Sequence, residues 1–292
     1  MKVLVTGASG QLGQELQATC PDDVALTACN RSQLDVTQED QIHRVLDETR
    51  PELIVNAAAF TAVDRAESAR EQAFAVNSDG PHNLARGALE IGARLIHIST
   101  DFVFSGHHGC PYRPESRTDP QSVYGASKLA GENHVLQVCD SRALVVRTAW
   151  VYSRFGGNFV KTMLRLMSDR QEVSVVMDQI GTPTWTQSLA RLVWVSRGHP
   201  EFHGIYHWTD SGVASWYDFA IAIQEEATAL GILEASCRVL PIATADYPTA
   251  ARRPPYSILD STAARHDLGL VGVHWRRQLR AMLQEMKEYG ED

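Results

Sequence analysis

Apolar residues in the first half of the chain fall into short, nearly unbroken runs: KVLVTG, VALTAC, ELIVNAAA, RLIHIST and ALVVRTAW. Such runs suit strands buried on both faces of a parallel sheet. Helix-like segments separate them, starting from Gln11, near Gln38 to Thr49, near Glu71 to Ile91, and near Ser122. The alternation predicts an α/β protein with a doubly wound parallel sheet of Rossmann type. After Trp150 the pattern becomes mixed, with Trp185, Trp194, Trp208, Trp216 and Trp275, the segment YPTAARRPPYS and a charged helical tail. This change predicts a smaller C-terminal α/β domain over residues 151–292, with some later segments free to return to the first, 1–150. A cleft between the two is the expected ligand site, because open α/β sheets bind beyond the carboxyl ends of their strands.

With 292 residues, 44% of them hydrophobic and 21% charged, the chain can bury one large core or two smaller ones. A formal net charge of -8 argues against general attraction to nucleic acid or an anionic membrane, so an anionic ligand must be held by local groups. No apolar run approaches about 20 residues, which argues against a transmembrane span. The opening MKVLVTG is cut by Gly7 and lacks the apolar stretch of a signal peptide. Five cysteines, at 20, 29, 110, 139 and 237, include no C-x-x-C pair and are odd in number, which suits a reducing cytoplasm.

The first apolar run leads straight into Thr6-Gly7-Ala8-Ser9-Gly10-Gln11-Leu12-Gly13, with helix-like sequence behind it. Glycines there permit a tight turn, close approach of backbone to a pyrophosphate and close packing of helix on strand. The helix N-terminus attracts the negative charge. Three glycines also suit a purely structural turn; their place in the first βαβ unit favours dinucleotide binding by Gly7, Ser9, Gly10, Gln11, Leu12 and Gly13. Residues 1–150 thereby read as a dinucleotide-binding domain. At the end of the second run, an NAD site usually places an acidic residue on the adenosine ribose. Here stand Asn30 and Arg31. A guanidinium there can pair with a 2′-phosphate, which favours NADPH, with NADH as the alternative; a solvated loop charge also accounts for Arg31.

The stretch SVYGASKLAGE sets Tyr124 and Lys128 four residues apart, on one face of a helix. A ketone accepting hydride builds negative charge on its oxygen and needs a proton donor and a second hydrogen-bond donor. A phenol can give the proton if a neighbouring cation lowers its pKa from about 10. Lys128 is the candidate cation and can also hold the nicotinamide ribose. Ser99 and Thr100 end the run RLIHIST, and alternation along a strand turns only one of them into the cleft. Taken singly, an exposed amphipathic pair and a self-satisfied strand end are the commoner accounts. Together with the glycine loop they form a reactive set.

The spacing G-x-x-G-x-x-G resembles the short-chain dehydrogenase/reductase superfamily. Its extended branch carries N-A-A after the fourth strand, an asparagine in the following helix, Ser or Thr ending the next strand, and Y-x-x-x-K. Asn56-Ala57-Ala58, Asn77, Thr100, Tyr124 and Lys128 match in order. The resemblance implies that Ala57, Ala58, Ala59 and Asn77 serve the cofactor, that Asp35 and Val36 meet the adenine, and that Thr100 is the polarising hydroxyl. Asp35 is almost as well explained as a turn-forming aspartate.

STDFVFSG narrows the reaction. The 4,6-dehydratases that it resembles carry T-D-E for elimination of water, and Phe102 replaces that glutamate. With NAAAFTAVDRAE, RTAWVY, GGNFVKTML, DQIGTPTW and ARRPPYSILD, nearly the whole chain resembles the dTDP-4-dehydrorhamnose reductase family. That implies NADPH-dependent reduction of the C4 ketone of dTDP-4-keto-L-rhamnose (dTDP-4-dehydro-6-deoxy-L-mannose) to dTDP-L-rhamnose, by a monomer or homodimer. Reduction or epimerisation of another nucleotide-linked ketosugar, or a non-catalytic role like that of the methionine adenosyltransferase regulatory subunit, are the alternatives. Implied substrate ligands are Thr100, Asp101, Phe102, Trp150, Asn158 and Arg253, with Asp178 and Gln179 carried over by resemblance. Arginines braced by Pro254 and Pro255 suit a diphosphate, and Trp150 suits stacking on sugar or base; a rigid polar loop also accounts for Arg252 and Arg253. The family is associated with magnesium held by glutamates at a subunit contact. Glu15 is the candidate, but a favourable helix-dipole contact explains it more simply, and no acidic partner stands in TPTWTQSLAR. No metal ligand is therefore assigned.

Overall fold

The computed structural model describes residues 1–234 and 237–289. Strand and helix alternate through its first half: β1 (Lys2–Thr6), α1 (Gln11–Ala18), β2 (Ala25–Cys29), α2 (Glu39–Thr49), β3 (Leu53–Asn56), α3 (Val63–Ser68), α4 (Arg70–Phe74), α5 (Gly80–Ile91), β4 (Arg94–Thr100), α6 (Val123–Cys139) and β5 (Ala143–Thr148). The second half adds β6 (Val151–Tyr152), α7 (Phe159–Asp169), β7 (Glu172–Val176), β8 (Ile180–Gly181), β9 (Thr184–Trp185), α8 (Thr186–Ser196) and β10 (Gly204–His207). It closes with β11 (Ala214–Ser215), α9 (Trp216–Ala229), β12 (Arg238–Ile242), α10 (Thr262–Asp267) and α11 (Trp275–Tyr289).

Six strands form a parallel sheet in the order β2-β1-β3-β4-β5-β10. The unbroken apolar runs are explained by burial on both faces. Val3, Val5, Leu53, Val55, Ile96, Leu144 and Val146 pack on one face with Leu12 and Leu16 of α1. Leu4, Ile54, Leu95 and Val145 pack on the other with α2, α5 and α6. The sixth strand comes from the second half of the chain, and α8 lays Leu189, Ala190, Leu192 and Val193 beside α1 on the first face. Strand order reverses between β1 and β3, which opens a crevice at their carboxyl ends. A separate core, with Met167, Phe219, Trp275 and Leu283 among its buried side chains, gathers α7, α9, α11, β7 and β12.

Two expectations change in detail. Asn56 closes the third strand in chain order, not the fourth. The helix expected from Glu71 to Ile91 is broken in hydrogen-bonding pattern: α4 runs into a wide π-helical turn, Ala75–Asp79, before α5 begins. Pro81 supplies the reason, because it lacks an N–H and its ring crowds the carbonyl four residues back, that of Asn77. The bulge turns Asn77 inward, fully buried. Among the described residues no helix is long and apolar enough to cross a membrane.

Candidate active site

The crevice is made possible by missing side chains. Gly7 turns out of β1 with φ 71°. A Cβ there would lie 2.7 Å from the Ala57 backbone, and one on Gly13 would lie 2.2 Å from the Gly7 carbonyl oxygen. Only glycine lets β1, α1 and the chain after β3 meet so closely. The N-terminus of α1, with its unpaired first-turn amides, is left bare toward the cavities beside it.

Two cavities share Ser9, Gly10, Ala57 and Ala59 and so run together past the glycine loop. The outer one, about 230 Å³, is lined by Gly7, Arg31, Leu34, Asp35, Val36 and Ala58 as well. The inner one, about 680 Å³, adds Gln11, Leu12, Thr100, Asp101, Phe102, Tyr124, Lys128, Trp150 and Arg253. A long, two-ended anionic ligand fits this shape: bare backbone at the waist, a cation at the outer end, and reactive side chains at the inner end. These residues can hold a dinucleotide.

The inner end is assembled by local signals. Ser122 caps α6 by accepting from the Gly125 N–H at 3.1 Å, so Tyr124 and Lys128 lie in the first turns. Gly125 admits the Phe102 carbonyl, which would stand 2.2 Å from a Cβ. The Phe102 ring meets Tyr124 edge-on, with centroids 5.5 Å apart. Thr100 ends β4, donates from Oγ1 to Asp101 Oδ1 at 3.0 Å and accepts from the Phe102 N–H at 3.2 Å. Its neighbour Ser99 donates instead to Glu132, so the two hydroxyls have different partners.

Electrostatics at this end differ from the expectation. Burial pushes the Tyr124 phenol up to about 12, opposed by the Thr100 hydroxyl and assisted by Asp101. Burial likewise draws Lys128 down to about 8 against the pull of Glu132. The expected lowering of the phenol by Lys128 is absent because desolvation dominates. Lys128 also spends its charge elsewhere, donating to the Ile98 carbonyl at 2.6 Å. Asp101 is pushed up to about 6, chiefly by burial.

Six expected ligands line neither cavity. Gly13 serves packing. Asn30 accepts the Ser32 and Gln33 N–H groups in its own turn. Asn77 accepts the Phe60 N–H at 2.8 Å and donates to the Phe60 carbonyl and to Ser127, so it braces the loop after β3 against α6. Asn158 caps α7 and donates to Ser153 O and to Gln11 Oε1, which binds the second half of the chain to the glycine loop. Asp178 and Gln179 bond to Thr244, as loop residues do.

Others line the crevice but already have partners. Arg253 is gripped by Asp64, with Nη2 2.6 Å from Oδ2 and Nη1 3.1 Å from Oδ1. Arg31 is paired with Asp35 at 3.2 Å. Asp35 also accepts from the Thr37 N–H and hydroxyl, which is the turn-forming role. Trp150 has one face covered by Trp216, ring centroids 3.6 Å apart, a stacking partner that the sequence alone did not single out. Glu15 is buried and accepts from Thr186 at 2.6 Å and Ser153 at 3.2 Å, rather than resting on a helix dipole at the surface. Among the described residues, no group of three or more His, Cys, Asp and Glu could hold a metal ion.

Sequence reasoning also missed the buried pair behind the site. Arg147 of β5 holds Glu132 of α6 through Nε and Nη2, the latter at 2.7 Å, and both are almost wholly buried. Glu132 follows Lys128 by four residues, which places it on the same helix face, but no spacing along the chain pairs it with Arg147.

Comparison with known proteins agrees over the whole length. The family model described as RmlD substrate binding domain matches residues 1–288. A dTDP-4-dehydrorhamnose reductase of Aggregatibacter actinomycetemcomitans is 40% identical, the match covering 96% of this chain and 97% of that protein. The crystal structure of such a reductase from Clostridium acetobutylicum superposes with a TM-score of 0.93 at 38% identity, covering 98% of this chain and 100% of the other. One from Bacillus anthracis, solved in complex with NADP, gives 0.92 at 37% identity, covering 97% and 99%.

Proposed function

The chain belongs to the RmlD substrate binding domain family, and from that membership we propose that it catalyses the NADPH-dependent reduction of the C4 ketone of dTDP-4-keto-L-rhamnose to dTDP-L-rhamnose. The observation that carries this reading is the set Thr100, Tyr124 and Lys128 on one cavity that runs on past the glycine loop. Five unpaired cysteines suit the reducing cytoplasm as its compartment.

The nicotinamide supplies the hydride when it is bound. Gly10, Gln11 and Leu12 at the head of α1 would hold its pyrophosphate, Asp35 and Val36 its adenosine, Arg31 its 2′-phosphate, and Lys128 its nicotinamide ribose. Tyr124 gives its proton to the ketone oxygen as charge develops there, and Thr100 turns its hydroxyl from Asp101 to donate a hydrogen bond to the same oxygen. A phenol held at about 12 is fully protonated at neutral pH. The proton that reduction needs is therefore present, but so high a pKa makes the phenol a weak donor, and its transfer relies on the negative charge that develops on the ketone oxygen. Arg253, steadied by Asp64, presents positive charge to the sugar nucleotide diphosphate, and Trp150 lines the same cavity where the sugar or base would lie. Phe102, lying against Tyr124, offers no carboxylate for elimination.

The test is to incubate the protein with dTDP-4-keto-L-rhamnose and either NADPH or NADH and to identify the product sugar by NMR. Stoichiometric loss of NADPH with formation of dTDP-L-rhamnose is expected. Turnover of the sugar without net consumption of NADPH would make it an epimerase instead.

A further inference from the structure

Lys128 Nζ lies 3.4 Å from His97 Nε2. The nature of that contact depends on which ring nitrogen carries the proton, and groups on the far side of the ring decide it. The Ala58 N–H can only donate, and it donates to Asn56 Oδ1 at 3.2 Å; Thr6 Oγ1 donates to the same oxygen at 2.7 Å. The Asn56 amide is thereby oriented, with its Nδ2 turned to His97 Nδ1 at 3.0 Å. An amide nitrogen only donates, so Nδ1 must accept. Burial, reinforced by Lys128, holds the imidazole well below its usual pKa of 6.5, and hence neutral. A neutral ring whose Nδ1 accepts carries its one proton on Nε2.

That N–H points at an ammonium, donor against donor. The 3.4 Å separation suits such a contact and contrasts with the 2.6 Å bond from Lys128 to the Ile98 carbonyl. We infer that His97 is a positioning residue acting through Lys128: locked as the Nε2–H form by Asn56, it denies the ammonium an acceptor and makes it more acidic. Once Lys128 loses its proton, its lone pair can accept from the same N–H, so the contact opposes the charged form and favours the neutral one. The charged and titratable groups around Lys128 are few. Tyr124 lies one turn earlier on α6; Glu132, one turn later, favours the ammonium but is engaged by Arg147 of β5 and Ser99 of β4. His97 acts in the same direction as burial, against Glu132. The consequence for catalysis rests on the role given to Lys128 above.

Long-range ¹H–¹⁵N correlation of the histidine rings in the unsubstituted protein reads the tautomer directly. A ring with bare Nδ1 and protonated Nε2, assigned by its loss in His97→Gln, is expected; an Nδ1–H ring overturns the inference. Asn56→Asp keeps the shape but sets an acceptor opposite Nδ1. The ring proton should move to Nδ1, free Nε2 to accept from Lys128, and raise the lysine titration, followed by NMR of labelled lysine side chains, by about one unit or more. A lysine titration that stays in place overturns the inference. The alkaline limb of kcat/KM should move with the lysine. If the lysine moves and the limb does not, His97 still sets Lys128, and the catalytic reading of Lys128 is what fails. Should Asn56→Asp not fold, His97→Gln can turn a carbonyl to the ammonium and should give the same upward shift.

Discussion

The two ends of the crevice are built on opposite principles. At the outer end Arg31, with 71% of its side chain exposed, keeps its charge in water beside Asp35 of the same short turn. At the inner end Thr100, Tyr124, Lys128, Glu132 and Arg147 come from β4, α6 and β5 and are all buried. Solvated groups keep their charge at little cost and bind weakly. Desolvated groups must each find a partner or shift toward their neutral form, which is how the Tyr124 phenol is held protonated and Lys128 becomes an acidic ammonium. The same dryness that tunes the reaction makes the inner end intolerant of substitution.

This contrast can be broken most directly at Tyr124. Tyr124→Phe should lower turnover by about 10²- to 10⁴-fold with the fold intact, as followed by NADPH oxidation; near-normal reduction would remove the phenol from the chemistry. Glu132→Ala leaves Arg147 buried without its carboxylate and should cost about 3 to 5 kcal/mol in denaturant unfolding. A loss below about 1 kcal/mol would mean that the inner pair is as solvated as a surface one.

A third test uses pH. Asp101 has a folded pKa of about 6 against an ordinary 3.8, so the protonated form is favoured in the native state. Its contribution to stability is greatest below the unfolded value and is lost as pH rises through about 6, a swing of about 3 kcal/mol from a two-unit shift. Asp101→Asn should flatten that part of the curve of melting temperature against pH, and an unchanged curve would place Asp101 in contact with water. The smallest effect belongs to the outer end. Arg31→Ala should raise KM for NADPH by about tenfold, leave KM for NADH and kcat nearly unchanged, and shift stability by under about 0.5 kcal/mol.

Much of the framework was legible along the chain because it depends on local order. Continuous apolar runs marked the first five strands, the glycine spacing marked the turn after β1, and i to i+4 spacing put Tyr124 and Lys128 on one cavity. Where the chain alone says least, a distant partner intervenes. Asn158 resembled a substrate ligand and is engaged by Ser153 and Gln11, while Asn77, through Phe60 and Ser127, supports the geometry of the site from its helix. Arg253 reads as a free cation until Asp64, far away in the chain, is seen to hold it.

The sequence by itself determined the order of strands and helices, the bare backbone of the phosphate loop, and the types of the reactive side chains. These follow from periodicity, from φ and steric limits, and from covalent chemistry. Only the tertiary structure decided their charge states. Tyr124 rises, Lys128 falls and His97 stays neutral because burial removes water and leaves each group to the few partners that the fold supplies. A protonation state belongs to an environment, and segments far apart along the chain make that environment.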